Sequence, residues 1–221
     1  MLLETVEHET GAEPQWAVLW LHGLGADGND FAPIVPELVR PDWPSLRFVF
    51  PHAPVRPVTI NNGVPMRAWY DIVALDFAHR ADTAGVTASV QQVEALIQRE
   101  GERGIPPERI LLAGFSQGGA ITLSVGLERE APLAGLIALS SYLPAPDTAA
   151  QRLSPAALRQ PVFMAHGTAD PVIPLQYAQA SAQLLTQLGF GVAWHGYGMA
   201  HQVCMEEIRD LGDWMSQRFA G

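Results

Sequence analysis

Residues 133–139, Leu-Ala-Gly-Leu-Ile-Ala-Leu, are apolar on both faces of any strand they form, and no other stretch constrains the fold as much. A strand with two apolar faces must be covered twice, which places it inside a parallel sheet with helices on either side. With it, short apolar runs at 16–22, 47–51, 110–114, 133–140, 161–166 and 192–197 give six candidate strands. Helical patterns alternate with them. Asp82 or Thr83 can cap one that runs to about Glu100, with Val86, Val90, Val93, Leu96 and Ile97 on one face and Gly101 and Gly104 to stop it. Pro174 opens another, with Leu175, Ala178, Ala182, Leu185 and Leu188 inward and Gly189 at its end. The last covers about 202–219 and is expected to bury Cys204, Ile208, Leu211 and Met215. Such alternation specifies an α/β fold, a doubly wound, mostly parallel sheet with helices on both faces. A length of 221 residues suits one domain.

One stretch, about 54–80, fits neither period. It holds Pro54, Pro57, Asn61-Asn62-Gly63 and the aromatic pair Trp69-Tyr70. Long irregular segments in compact domains are usually functional, so it reads as a flap beside the active site, with Trp69 and Leu75 expected to roof a shallow pocket. The alternative is a surface excursion with Trp69 tucked into the core.

Composition removes several chemistries. All 13 basic residues are arginine, and an arginine cannot give up its proton for amine catalysis as a lysine can. Schiff-base chemistry, a pyridoxal-phosphate anchor and a P-loop lysine are excluded. The single cysteine, Cys204, excludes an internal disulfide and multi-cysteine metal sites. A net charge of −10 argues against nucleic acid or an anionic membrane as partner. Residues 1–15 carry four glutamates and no arginine, unlike the basic start of a signal peptide. No apolar run approaches membrane-spanning length, so a soluble, cytoplasmic protein is expected.

Two glycine motifs remain. Gly23-Leu-Gly25-Ala-Asp-Gly28 matches the dinucleotide fingerprint, but that pattern arises by chance in roughly one chain in six of this composition. It also needs an acidic residue at the end of the next strand, and Phe48-Val-Phe-Pro-His-Ala-Pro54 has none. The dinucleotide reading fails.

Gly114-Phe-Ser116-Gln-Gly118 matches G-x-S-x-G, with a chance expectation of roughly 0.07, and it lies between a strand and a helix as a nucleophile elbow requires. The turn lifts the Ser116 hydroxyl above the sheet, and the helix N-terminus points amides at a developing anion. A serine needs a base and a group to orient that base, in the chain order Ser, Asp or Glu, His. Asp170 in Gly167-Thr-Ala-Asp170 follows one candidate strand, and His201 in Gly198-Met-Ala-His201 follows the last. Asp147 and His195 are rivals, disfavoured because Asp170 and His201 match the expected placement and His195 lies within its strand. His22 and His166 are expected to brace loops, and His8, His52 and His79 read as surface or loop residues. In this architecture the oxyanion meets the amide after the nucleophile, Gln117, and one from the loop after an early strand, Leu24. No H-x-x-x-H or H-E-x-x-H spacing exists, and neither a metal nor another cofactor is expected.

The segments Leu21-His-Gly-Leu-Gly-Ala-Asp-Gly28, Met66-Arg-Ala-Trp-Tyr-Asp71, Gly114-Phe-Ser-Gln-Gly-Gly119, His166-Gly-Thr-Ala-Asp170 and Ala200-His201 together resemble the carboxylesterase/acyl-protein thioesterase family of small alpha/beta-hydrolases. The resemblance spans nearly the whole chain. It implies the alpha/beta-hydrolase fold, the same residues in the same roles, and substrates that are carboxylic esters, thioesters or lysophospholipids. Without room for a cap domain, Val172 and Ile173 are expected to line the acyl site. The expected activity is hydrolysis of short-to-medium carboxylic esters through an acyl-enzyme. Long-chain acyl-protein thioesterase or lysophospholipase action is the near alternative, and a non-catalytic binding protein on the same fold the remote one. Exposed flap aromatics would support a homodimer.

Overall fold

A seven-stranded sheet organises the chain. The computed structural model describes residues 2–74, 77 and 81–220. Its strands are β1 (Thr5–Glu9), β2 (Trp16–Leu21), β3 (Leu46–Pro51), β4 (Val55–Val58), β5 (Val64–Arg67), β6 (Ile110–Phe115), β7 (Gly135–Leu139), β8 (Val162–Gly167) and β9 (Val192–Tyr197). Its α-helices are α1 (Val35–Leu38), α2 (Thr83–Glu102), α3 (Gln117–Glu128), α4 (Ala149–Arg152), α5 (Leu175–Leu188) and α6 (Met205–Phe219). The large sheet has the order β1-β3-β2-β6-β7-β8-β9, with β1 antiparallel to β3 and the other pairs parallel. This is the alpha/beta-hydrolase architecture.

Alternate residues of each central strand feed two cores. Val18 and Trp20 join Phe48 and Phe50, with Leu38 of α1 and Ile208, Leu211 and Met215 of α6, on one face. Leu19 and Leu21 join Val93, Leu96 and Ile97 of α2, Ile121 of α3 and Leu185 of α5 on the other. The period of two along the strands and the wider apolar stripe along each helix are thereby both satisfied. Asp82 caps α2 by accepting from the Ala84 amide at 3.1 Å, and Gly189 closes α5 in a left-handed conformation.

Three features depart from the sequence expectations. The edge strand β1, Thr-Val-Glu-His-Glu, was not anticipated: it is largely exposed and lacks an apolar run. Charge holds it. Glu100, fully buried near the end of α2, accepts from Arg47 and Arg103 at 2.9 Å and from Arg99 at 3.0 Å, and those arginines in turn grip Glu7 and Glu9 of β1. A buried carboxylate requires such partners. The second departure is in the irregular stretch, where β4 and β5 form an antiparallel hairpin with Pro57 opposite Pro65. Proline is tolerated there because a two-stranded ribbon consists of two edges. Finally, Cys204 is not a core residue: it is half-buried at the N-cap of α6, which begins at Met205.

Candidate active site

The sheet order reverses between β2 and β6, so the loops leaving these two strands diverge and open a crevice at their carboxyl ends. Ser116 sits there, between β6 and α3, with φ 55° and ψ −118°. A non-glycine residue rarely adopts such a conformation, and it persists only where the surroundings hold it. The Ser116 amide donates to the Leu139 carbonyl at 2.8 Å, and the Ser116 carbonyl accepts from Ser141 Oγ at 2.7 Å. Close packing of α3 against β2 completes the clamp: a Cβ on Gly118 would lie 2.3 Å from the Leu21 carbonyl oxygen.

His201 reaches Ser116 from the loop after β9. Its Nε2 lies 2.9 Å from Ser116 Oγ, and its Nδ1 lies 2.7 Å from Asp170 Oδ2. Asp170, after β8, is buried, and its Oδ1 accepts from the amides of Val172 and Ile173 at 2.8 and 2.9 Å. The two loops run side by side because β8 ends in Gly167, where a Cβ would lie within 2.4 Å of both the Met199 and Ala200 carbonyl oxygens. With Nδ1–H donating to the carboxylate, Nε2 is left as acceptor for the seryl proton. Such a chain can deprotonate a hydroxyl as it attacks a carbonyl carbon.

Two further histidines brace this assembly, as their positions suggested. His22 Nε2 accepts from the Ala53 amide at 3.0 Å, so its Nδ1 carries the proton shared with the Gly23 carbonyl at 2.7 Å. Burial pushes its pKa down and keeps it neutral. His166 Nε2 lies 2.9 Å from the Ile173 carbonyl and 3.3 Å from Asp170 Oδ2, and burial lowers its pKa too. His195 stays in β9, stacked on Phe163, and His52 Nδ1 accepts from the Gly28 amide. Asp147 is exposed and lines a separate cavity near α2 and α4. His79 lies outside the described residues.

The amide of Leu24 meets no acceptor among the described residues. That of Gln117 is the first of α3, where a helix leaves its N–H groups free. Both flank Ser116 at the wall of a cavity of about 350 Å³. Ile60, Ile72, Phe115, Tyr142, Val172 and Ile173 supply much of its lining, and Asp30 stands at an exposed position on its rim.

Trp69 is placed otherwise than as a roof. It is fully buried and not among the residues lining the cavity, with its indole N–H on the His22 carbonyl at 2.9 Å, a partner that lets so large an aromatic leave water. Leu75 lies outside the described residues. The sequence reading missed the Gln117 side chain, which is buried and makes paired bonds to the backbone of Trp69 and Tyr70. Its signal was a long polar residue opening a helix that is otherwise buried as far as Leu127. Also missed were Ser141, Ile60, Ile72 and Tyr142, which come from distant segments without local pattern.

Among the described residues no cluster of potential metal ligands forms, and no helix is long and apolar enough to cross a membrane.

The chain is similar to known proteins over nearly its whole length. Residues 4–218 match the family model described as phospholipase/carboxylesterase. An acyl-protein thioesterase 1 of Mycosarcoma maydis is 39% identical, over 96% of this chain and 95% of its own length. Among solved structures, Zea mays acyl-protein thioesterase 2 superposes with a TM-score of 0.82 at 27% identity, covering 97% of this chain and 99% of that one. Arabidopsis thaliana SOBER1 gives a TM-score of 0.86 at 32% identity, covering 92% and 98%.

Proposed function

The chain belongs to the phospholipase/carboxylesterase family, and from that premise we propose that it hydrolyses acyl thioesters, and carboxylic esters beside them, with Ser116 as nucleophile, His201 as base and Asp170 as its orienting partner. The observation that carries this reading is the unbroken hydrogen-bonded run from Ser116 Oγ through both His201 nitrogens to Asp170, with Ser116 and His201 lining a largely apolar cavity. The whole chain works as one domain.

Ser116 Oγ attacks the acyl carbonyl carbon while its proton passes to His201 Nε2. The carbonyl oxygen, now negative, is met by the amides of Leu24 and Gln117, each such donor being worth about 2.7–4 kcal/mol in a transition state. The bond to the leaving thiol or alcohol breaks, and that group departs with the proton from His201. Water then repeats the sequence, giving up its proton to His201, and the carboxylic acid leaves with Ser116 restored. The names of the relatives favour thioesters. The cavity's branched aliphatic walls suit a chain longer than acetyl. The family description keeps carboxylic esters as the second substrate class.

A matched series of acyl thioesters and oxygen esters of rising chain length tests the substrate, and fluorophosphonate labelling tests the nucleophile. Labelling at Ser116, and thioester cleavage that improves with chain length, is the expected result. Full activity in Ser116→Ala would overturn the assignment.

A further inference from the structure

Among the described residues that line the cavity around Ser116, Asp30 carries the only permanent charge, and none is an arginine. Asp30 is exposed, and among the described residues no cation pairs with it. It lies in the same loop as Leu24, six residues further on, where its amide donates to the Asp27 carbonyl at 3.1 Å. Asp27 adds a second negative charge to that loop. Its carboxylate accepts from the Asn29 amide and side chain at 2.8 and 3.0 Å, bonds that lower its pKa. The proposed oxyanion donors are neutral amides, and no arginine is among the described residues that line the cavity to offset these acids.

The aliphatic side chains of Ile60, Ile72, Val172 and Ile173 suit an acyl chain, and Asp30, exposed and charged, suits contact with a polar leaving group. Resting on the proposed hydrolase reading, we propose that Asp30 selects substrates by the charge of that leaving group. Acyl groups carried on neutral or cationic thiols and alcohols are accepted, and those carried on polyanionic thiols, such as nucleotide-bearing ones, are disfavoured. A carboxylate repels several phosphate charges at once, and because Asp30 is exposed the effect is screened by salt.

Three octanoyl thioesters share one bond and one acyl chain: the coenzyme A ester (polyanionic), the N-acetylcysteamine ester (neutral) and the thiocholine ester (cationic). For the unmodified protein at low salt, kcat/KM should rank cationic, then neutral, then anionic, and the spread should narrow sharply in about half-molar salt. Asp30→Asn should raise the ratio of anionic to neutral rates about threefold to tenfold and lower that of cationic to neutral. Asp147→Asn, which removes the same charge at a separate cavity, should leave both ratios unchanged. Ratios that are salt-independent in the unmodified protein, or unmoved by Asp30→Asn, would overturn the proposal. So would an equal shift in Asp147→Asn, which would assign selection to net charge. Failure to cleave even the neutral thioester would instead overturn the hydrolase reading, and this one with it.

Discussion

The side-chain amide of Gln117 accepts from the Trp69 backbone N–H at 2.8 Å, and from its other end donates to the neighbouring Tyr70 carbonyl at 2.7 Å. The residue that follows Ser116 thus holds a segment whose Tyr70 lines the cavity. Ser89 Oγ donates to the Trp69 carbonyl and the indole N–H donates to the His22 carbonyl, so the turn at Ser116, this segment and the loop after β2 are tied together. Gln117→Met keeps the length and removes both bonds, leaving the buried Trp69 N–H without its acceptor at about 1–3 kcal/mol. The expected result is a lower urea midpoint and a kcat/KM reduced at least tenfold on thioesters, with Ser116 and His201 still in place.

Asp170→Asn should cost far more activity than stability. The Asn oxygen can still accept from the Val172 and Ile173 amides, which places its NH2 against His201 Nδ1. An N–H there forces the proton onto Nε2, the atom that must receive the seryl proton. A loss in kcat on the order of 10⁴ is expected, read by steady-state kinetics beside a thermal unfolding midpoint that barely moves.

Gly167→Ala tests the packing that brings base and acid together. Its new Cβ would meet two carbonyl oxygens of the His201 loop, at 2.3 and 2.4 Å, so that loop must move. Overpacking of this kind costs about 1–3 kcal/mol. Slower fluorophosphonate labelling of Ser116 should accompany the loss, since His201 is displaced from it.

Stability should fall on both sides of neutrality, for opposite reasons. Burial depresses His22 and His166 below their ordinary 6.5, so below that pH the unfolded chain binds more protons than the folded one. Their contribution is complete above about pH 6.5 and is lost as the pH falls. Glu207 behaves in reverse. It is fully buried, and burial raises it from 4.5 to about 8. The folded chain keeps a proton that the unfolded chain releases, so stability declines as the pH rises from 4.5 toward 8. Glu207→Gln should therefore raise the melting temperature by about 3–6 °C at alkaline pH and change it little near pH 5. Calorimetry across that range checks both arms.

What the sequence disclosed follows from the range of the forces involved. The strand–elbow–helix around Ser116 was legible because its glycines, its serine and the flanking apolar runs are all local. Asp170 and His201 could be read because parallel strands deliver their loops to one end of the sheet. The edge strand β1 could not, since partners 38 to 96 residues away in sequence hold it through charge rather than through its own pattern. Trp69 illustrates the same limit. An indole beside a tyrosine in an irregular stretch suits a lid as well as a core, and only the His22 carbonyl, 47 residues away, decides between them.

Ser116 and His201 are 85 residues apart, and Asp170 lies between them, 31 residues before His201. The hydroxyl leaves the ribosome long before its base does, and that base is positioned only once β9 and α6 have docked. A half-synthesised chain therefore carries an inert serine and cannot squander acyl groups while it folds. On refolding, the return of esterase turnover clocks the arrival of the last strand and helix rather than the collapse of the sheet beneath them.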